Sequence, residues 1–266
     1  MCITGRFVME VISSRQNALV KQLKKLIDSK KARNEQGQIV AEGTHLLEIQ
    51  LAAGIEPELI VVAQRCINHP EITALLDRLP SSRWVVLIDS IFDQIAPADA
   101  PSGLLTVSAA VCNDRGPSST LDTLVLDRIQ DPGNVGSLIR TAVAAGVRQV
   151  VLSAGCADPW SPRCLRAGQG AQWLATLYPD VALDAFVDSF TGSIAATVLE
   201  GGTNLYGHNL KQTTAWLFGN EGQGVSPELI QQATHRITIP MPGGMESLNV
   251  NAAAAVCLFE QVRQRL

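Results

Sequence analysis

The chain has 266 residues, 46% of them hydrophobic and 17% charged, with a formal net charge of −4. Such a composition buries a full core and excludes a disordered chain, and the slight acidity excludes a protein coated in basic residues for nucleic-acid binding. The length exceeds that of the usual single domain, so one large or two smaller domains are expected.

Met1 to Arg15 mixes polar and apolar residues and lacks the apolar core of about 7–15 residues that a signal peptide needs. No apolar run approaches the roughly 20 residues of a membrane span, so a cytoplasmic protein is expected. A more ordinary run, "MEVISSRQNALVKQL", begins at Met9, so residues 1–8 read as an upstream start or a mobile tail, with 1–10 as the tail's outer bound. Within residues 1–40, Arg6, Arg15, Lys21, Lys24, Lys25, Lys30, Lys31 and Arg33 stand against Glu10, Asp28 and Glu35, a balance of +5 that leaves −9 for the remainder. A basic amino-terminal helix of this kind reads equally as a phosphate-backbone contact and as a solvated face.

The first part predicts a helix from about Arg15 to Lys31, a strand at "QIVA", a helix from Gly43 to Ala53 and a strand at "LIVVA". A helix over Pro70 to Asp77, a strand "RWVVLI", a short helix after Asp89 and a strand near "GLLTVSAAV" follow, making an alternating α/β domain over 1–111. The segment 112–121, "CNDRGPSSTL", is rich in Gly, Pro, Ser and Asp and reads as a linker. A second alternation fills 122–266, with strands expected at 122–127, 148–152, 172–177, 194–198, 215–218 and 236–239 and helices near 134–145, 182–190, 226–232 and 249–264. Alternation of this kind predicts a mostly parallel sheet that binds ligands at the carboxyl ends of its strands.

Cys2, Cys66, Cys112, Cys156, Cys164 and Cys257 form no C-x-x-C pair, and His45, His69, His208 and His235 show no H-x-x-x-H spacing. Reduced, mostly buried thiols are expected, with no disulfide and no metal.

Three loops at strand ends carry chemistry-bearing residues. "LVLDRIQDPGNVGSLIRTAVAAGV" runs from a strand through a turn into a helix that bears Asn134 at its start and Arg140 about two turns in. The positive end of the helix dipole lies there, so an arginine facing the strand-end crevice suggests an anionic partner; an ordinary exposed helix arginine is the alternative. "WLFGNEGQGVSPELI" is neither G-x-G-x-x-G nor a Walker loop, and Glu221 would repel a phosphate, so a neutral or cationic ligand suits it better. "IPMPGGMESLNVNAAAA" places Ser247 and Asn249 around a helix start, where simple N-capping is the competing explanation.

"DPGNVGSLIRTA", "LFGNEGQG" and "IPMPGGMESLNVNAAAA", in this order, resemble the three motifs of the SpoU/TrmH-type (SPOUT) RNA ribose 2′-O-methyltransferases, and "ISSRQNALVKQLKKL" through "VAEGTHLLEIQLAAG" is similar to their ribosomal-protein-like substrate-binding domain. The resemblance covers nearly the whole chain; only 154–170, "AGCADPWSPRCLRAGQG", matches loosely. It implies an α/β methyltransferase domain with a deep trefoil knot, a smaller amino-terminal α/β domain, and a homodimer. It further implies transfer of a methyl group from S-adenosylmethionine to an RNA ribose 2′-hydroxyl, with ribosomal RNA the first expectation and transfer RNA the second. Positions matching the family's catalytic group are Asn134, Arg140, Glu221, Ser247 and Asn249; Gly219, Ile239, Met241 and Leu248 would hold the cofactor. Lys21, Lys24, Lys25, Lys30, Lys31 and Arg33 are the RNA-contact candidates. A guanidinium stays protonated and has no acceptor site, so Arg140 is expected to pair with phosphate and steady a developing alkoxide instead of taking a proton. Rival classes are a non-catalytic RNA-binding protein with the same fold, and a nucleotide-dependent enzyme, which the missing phosphate-binding glycine loop disfavours.

Overall fold

The computed structural model describes residues 11–79, 83–111 and 115–266. The tail expected at residues 1–8 lies outside them, as do Cys2, Cys112 and the start of the expected linker. The chain forms two compact units, Met1–Val111 and Cys112–Leu266.

In the first unit β1 (Val11–Ile12) leads to α1 (Ala18–Asp28), α2 (Lys30–Gln36), β2 (Gln38–Glu42) and α3 (Thr44–Ala52). Then come β3 (Leu59–Ala63), α4 (Pro70–Asp77), β4 (Arg83–Leu87), α5 (Asp89–Ile95) and β5 (Leu104–Ala109). The sheet order is β1-β4-β3-β5-β2, with β1 and β3 parallel to β4 and with β5 antiparallel to both β3 and β2. All five residues of β3 are buried, because helices cover both faces of this central strand.

The single helix expected over Arg15–Lys31 is two. Ser29 ends α1 by giving its N–H to the Lys25 carbonyl at 3.0 Å, and it starts α2 by accepting the Ala32 N–H on its Oγ at 3.2 Å. Val20, Leu23 and Leu26 face the core, which leaves Lys21, Lys24 and Lys25 outward. Lys31 is also exposed and lies 3.7 Å from Glu35, while Lys30 is half-buried. Arg33 departs from the expected RNA-facing set. It is buried, and its Nη1 donates to the Leu26 and Ile27 carbonyls at 2.6 and 3.0 Å, satisfying the end of α1.

The second unit runs β6 (Thr123–Asp127), α6 (Pro132–Ala144), β7 (Gln149–Leu152), α7 (Pro162–Gly168), β8 (Thr176–Tyr178), α8 (Leu183–Ser189) and β9 (Ser193–Thr197). It finishes with β10 (Thr203–Asn204), β11 (Thr214–Gly219), α9 (Pro227–Gln232), β12 (His235–Thr238) and α10 (Val250–Arg265). The order β10-β12-β9-β11-β6-β7-β8 has every pairing parallel. β6 and β11 are buried along their full length, as unbroken apolar strands covered on both faces must be.

Two expectations are corrected here. Residues 172–177 are not one strand: Gly170 at φ +78° turns the chain into a 3₁₀ turn over Ala171–Leu174, which buries Trp173, and only Thr176–Tyr178 pairs. The stretch 154–170, where no helix is expected, contains α7: Ser161 caps it by accepting the Cys164 N–H at 3.3 Å, with Pro162 in its first turn. A Cβ at Gly136 would lie 2.3 Å from the Cys164 carbonyl oxygen and 2.7 Å from the Gly168 nitrogen, so that glycine is what allows α6 to seat on α7.

Candidate active site

The carboxyl ends of three neighbouring strands, β9, β11 and β12, open into a cavity of about 590 Å³. Val198, Phe218, Val225, Ile230, Ile237 and Ile239 supply apolar wall, and the loops 219–224 and 247–249 supply backbone. The first loop is built around Asn220. Its Oδ1 accepts the N–H groups of Gly222 and Gln223 at 3.0 and 3.1 Å, and its Nδ2 donates to the Arg128 carbonyl at 3.0 Å. The Gly224 N–H returns to the Asn220 carbonyl at 2.8 Å, closing a turn that Gly224 reaches at φ +71°. A Cβ at Gly219 would sit 2.0 Å from both Gly224 C and Val225 N, so β11 has to end in glycine for the turn to close over it.

A chain of polar contacts reaches the mouth of the cavity from α6. Asp131 Oδ1 caps the helix by accepting the Asn134 N–H at 2.8 Å, and Asn134 Nδ2 donates to Glu221 Oε1 at 2.8 Å. Asn134 Oδ1 in turn accepts from Asn251 Nδ2 at 2.6 Å, while Asn249 caps α10 through the Asn251 N–H at 2.9 Å. Asn251 Oδ1 is buried without a hydrogen-bond partner among the described residues. Sequence reasoning missed Asn251; its only signal is a second asparagine two residues after the cap, in the first turn of an alanine-rich helix.

The structure therefore brings together Glu221, Ser247, Asn249, Gly219, Ile239, Met241 and Leu248 as lining of one cavity, with Asn134 bonded to Glu221. Arg140 is not part of that lining; it is exposed on α6, six residues beyond Asn134.

Cysteine chemistry does not compete with this reading. Cys66, Cys156, Cys164 and Cys257 are free, and burial pushes the thiols of Cys156, Cys164 and Cys257 up, that of Cys257 to about 12, so they stay protonated and unreactive. Among the described residues no group of three or more His, Cys, Asp or Glu side chains could hold a metal, and no helix is long and apolar enough to cross a membrane. An apolar floor, a backbone-rich rim and an exposed carboxylate at the mouth fit a cationic, adenosyl-sized ligand and oppose a polyphosphate.

The SpoU rRNA Methylase family model matches residues 122–259. The chain belongs to that family. A second model, the MRM3-like substrate binding domain, matches residues 17–106. An uncharacterised tRNA/rRNA methyltransferase of Synechocystis is 36% identical, with 96% of this chain and 94% of the relative covered. The 23S rRNA (guanosine(2553)-2′-O)-methyltransferase RlmP of Bacillus subtilis is 31% identical over 94% of this chain and 98% of its own. Among solved structures, the AdoMet-bound rRNA methyltransferase from Sinorhizobium meliloti superposes with a TM-score of 0.82 at 27% identity, covering 97% of this chain and 99% of that one. S-adenosylmethionine, bound in that relative, is the cofactor of the family, and the cavity at the ends of β9, β11 and β12 is the candidate place for it.

Proposed function

We infer that this SpoU-family enzyme transfers a methyl group from S-adenosylmethionine to a ribose 2′-hydroxyl of ribosomal RNA. The observation that carries the reading is the Glu221–Asn134–Asn251 chain, which ties the start of α6 to the rim of the cofactor cavity. Ribosomal RNA is favoured over transfer RNA because the Bacillus subtilis and Sinorhizobium meliloti relatives carry that substrate in their names. Residues 17–106 would grip folded RNA through shape and phosphates, with Lys21, Lys24, Lys25 and Lys31 as the exposed candidates and Lys30 half-buried beside them.

When bound, S-adenosylmethionine supplies an electrophilic methyl on a sulfonium. The apolar walls exclude water, and the backbone of Gly219, Ile239 and Leu248, with Met241 beside them, would hold the adenosyl and amino-acid parts. The protein's remaining task is alignment and help with loss of the hydroxyl proton. Ser247 and Asn134 orient the 2′-hydroxyl, Asn249 and Glu221 hold the loops, and Arg140 pairs with the neighbouring phosphate and steadies the alkoxide as it forms.

The domain limits 1–111 and 122–266 with a 112–121 linker, the trefoil knot, the homodimer and a cytoplasmic location belong to the same proposal. Supporting the knot, α10 comes back to α6 through the Asn251–Asn134 bond after the 239–249 loop. Supporting the dimer, Phe259 stands 47% exposed on α10.

The deciding experiment gives the protein labelled S-adenosylmethionine and total RNA from a strain lacking it, then maps the labelled ribose by nuclease digestion. A 2′-O-methyl nucleotide in ribosomal RNA is the expected result. Cofactor binding without label on free RNA or on ribosomal particles would favour the non-catalytic RNA-binding reading.

A further inference from the structure

Arg128 is one of three non-glycine residues with positive φ among those described, at +56°. Crowding of Cβ against the backbone disfavours an arginine in the left-handed region, and such outliers persist where the surroundings over-determine them. Here they do. The Arg128 N–H donates to Ser153 Oγ at 2.8 Å and its carbonyl accepts from Asn220 Nδ2 at 3.0 Å. Its stem lies against Gly155, where a Cβ would come within 2.9 Å of Arg128 Cγ. Its Nε and Nη2 donate to Asp127 Oδ1 and Oδ2 at 3.1 and 3.4 Å. Asp127 is itself fixed, taking the Ser226 N–H on Oδ2 at 2.8 Å.

Strand end, glycine and carboxylate thus hold a long, normally mobile side chain in a single pose at the carboxyl end of β6, beside the loop that lines the cofactor cavity. Its carboxylate partner is 6% exposed while the arginine side chain is 39% exposed, and Nη1 has no hydrogen-bond partner among the described residues. The guanidinium therefore offers its free edge to solvent with the entropy of ordering already met. Asp127 neutralises the pair at a distance, which suits a contact made at hydrogen-bond range better than long-range attraction.

We propose that Arg128 is a positioning residue for the RNA, donating through Nη1 to a phosphate of the target strand close to the methyl-accepting ribose. This rests on the RNA methyltransferase reading above. The strained backbone serves the same end twice, since the conformation that aims the side chain outward also turns the Arg128 carbonyl onto Asn220 and so fixes the cavity loop.

The test uses the full-length protein and two variants. Arg128→Gly removes the side chain and relieves the positive φ; Arg128→Asn keeps a side chain that tolerates that conformation. Three quantities are measured: the affinity for S-adenosylmethionine by calorimetry, the affinity for a large-subunit ribosomal RNA transcript over a salt series, and methyl transfer to that transcript. Both variants should keep wild-type cofactor affinity, bind RNA about tenfold more weakly, and lower the salt slope of log affinity by about 1. The transfer defect should fall on KM for RNA. Unchanged RNA affinity and slope would overturn the proposal, as would loss of cofactor binding in both variants, which would make the residue structural. If the wild type binds RNA but transfers no methyl, the enzymatic reading fails while the salt series still decides Arg128; if the wild type binds no RNA, both fail.

Discussion

Gly219→Ala is the substitution whose consequence the structure fixes most tightly. The added Cβ would lie 2.0 Å from Gly224 C, 2.0 Å from Val225 N and 2.2 Å from Gly224 O, where ordinary contact begins near 3.4 Å. All three are backbone atoms, so no rotamer relieves the clash. β11 is held on both sides by β6 and β9, which leaves the 224–225 peptide to retreat by more than an ångström. Its retreat opens the Gly224 N–H to Asn220 carbonyl bond, now 2.8 Å, at a net cost of about 1 kcal/mol. Overpacking strain adds about 1–3 kcal/mol. Taking the lower ends together, about 2 kcal/mol falls on a loop that lines the cofactor cavity, or roughly a thirtyfold rise in Kd for S-adenosylmethionine. Calorimetry on the wild type and the variant measures it, with Gly207→Ala, where nothing lies within 4 Å of an added Cβ, as the control for glycine replacement. Wild-type affinity in a folded Gly219→Ala protein would refute the claim that the close approach of this turn to β11 shapes the cavity.

Asn134→Ala removes both the donor to Glu221 and the acceptor for Asn251, and should cut kcat for methyl transfer by about a hundredfold with little change in cofactor affinity; an equal loss in both would show that Asn134 supports the cavity instead of the acceptor ribose. Glu221→Gln should weaken S-adenosylmethionine, which carries the sulfonium charge, more than its demethylated product, narrowing the ratio of the two Kd values by an amount of order 1 kcal/mol; an unaltered ratio from calorimetry would remove the electrostatic role of that carboxylate. The Arg263 guanidinium, with help from Gln264, holds the Glu260 carboxyl down to about 2 from an ordinary 4.5. A carboxyl depressed in the folded state contributes stability that is present above 4.5 and lost as pH falls toward 2. Arg263→Ala should thus move the acid-unfolding midpoint, followed by circular dichroism, to higher pH; an unmoved midpoint would mean that the pair does nothing for α10.

What was legible in the sequence was local or periodic. β3 and β11 read as strands because their apolar runs are continuous, and α4 reads from Pro70 because proline and the following pattern mark a first turn. The division of Arg15–Lys31 into α1 and α2 was not legible, because the apolar stripe through Val20, Leu23 and Leu26 carries no mark of where it stops; Ser29 caps both ways only once both helices exist. α7 did carry its signal in Ser161 and Pro162, but seven residues give too little periodicity to outweigh the surrounding Gly and Pro. Arg33 counted as a cation from its letter alone, and its burial depends on how α2 folds back on α1. Asn251 and Arg128 owe their significance to partners distant in the chain, at Asn134 and Asn220, which no window of sequence contains.

The cavity has a fixed side and a soft side, and the chemistry is divided between them. Phe218, Val225 and Ile237 are buried to within a few per cent, and the 220–224 turn is locked by the Asn220 bonds, so this wall is set before any ligand arrives. Across from it the 239–249 segment has no helix or strand, holds Gly243 and Gly244 with open space around them, and exposes 70% of Met245 and 40% of Leu248. Covering those two side chains returns about 25 cal/mol for each Å² of apolar surface removed from water. A ligand seated against the fixed wall would give Leu248 an apolar surface to meet, and Ser247, its neighbour in the chain, would move with it, while Asn249 stays with α10, which it caps through the Asn251 N–H. Asn134 needs no such motion, being already tied to Glu221 and Asn251. On the proposed assignment, cofactor binding would therefore also bring Ser247 toward an acceptor site where Asn134 already stands.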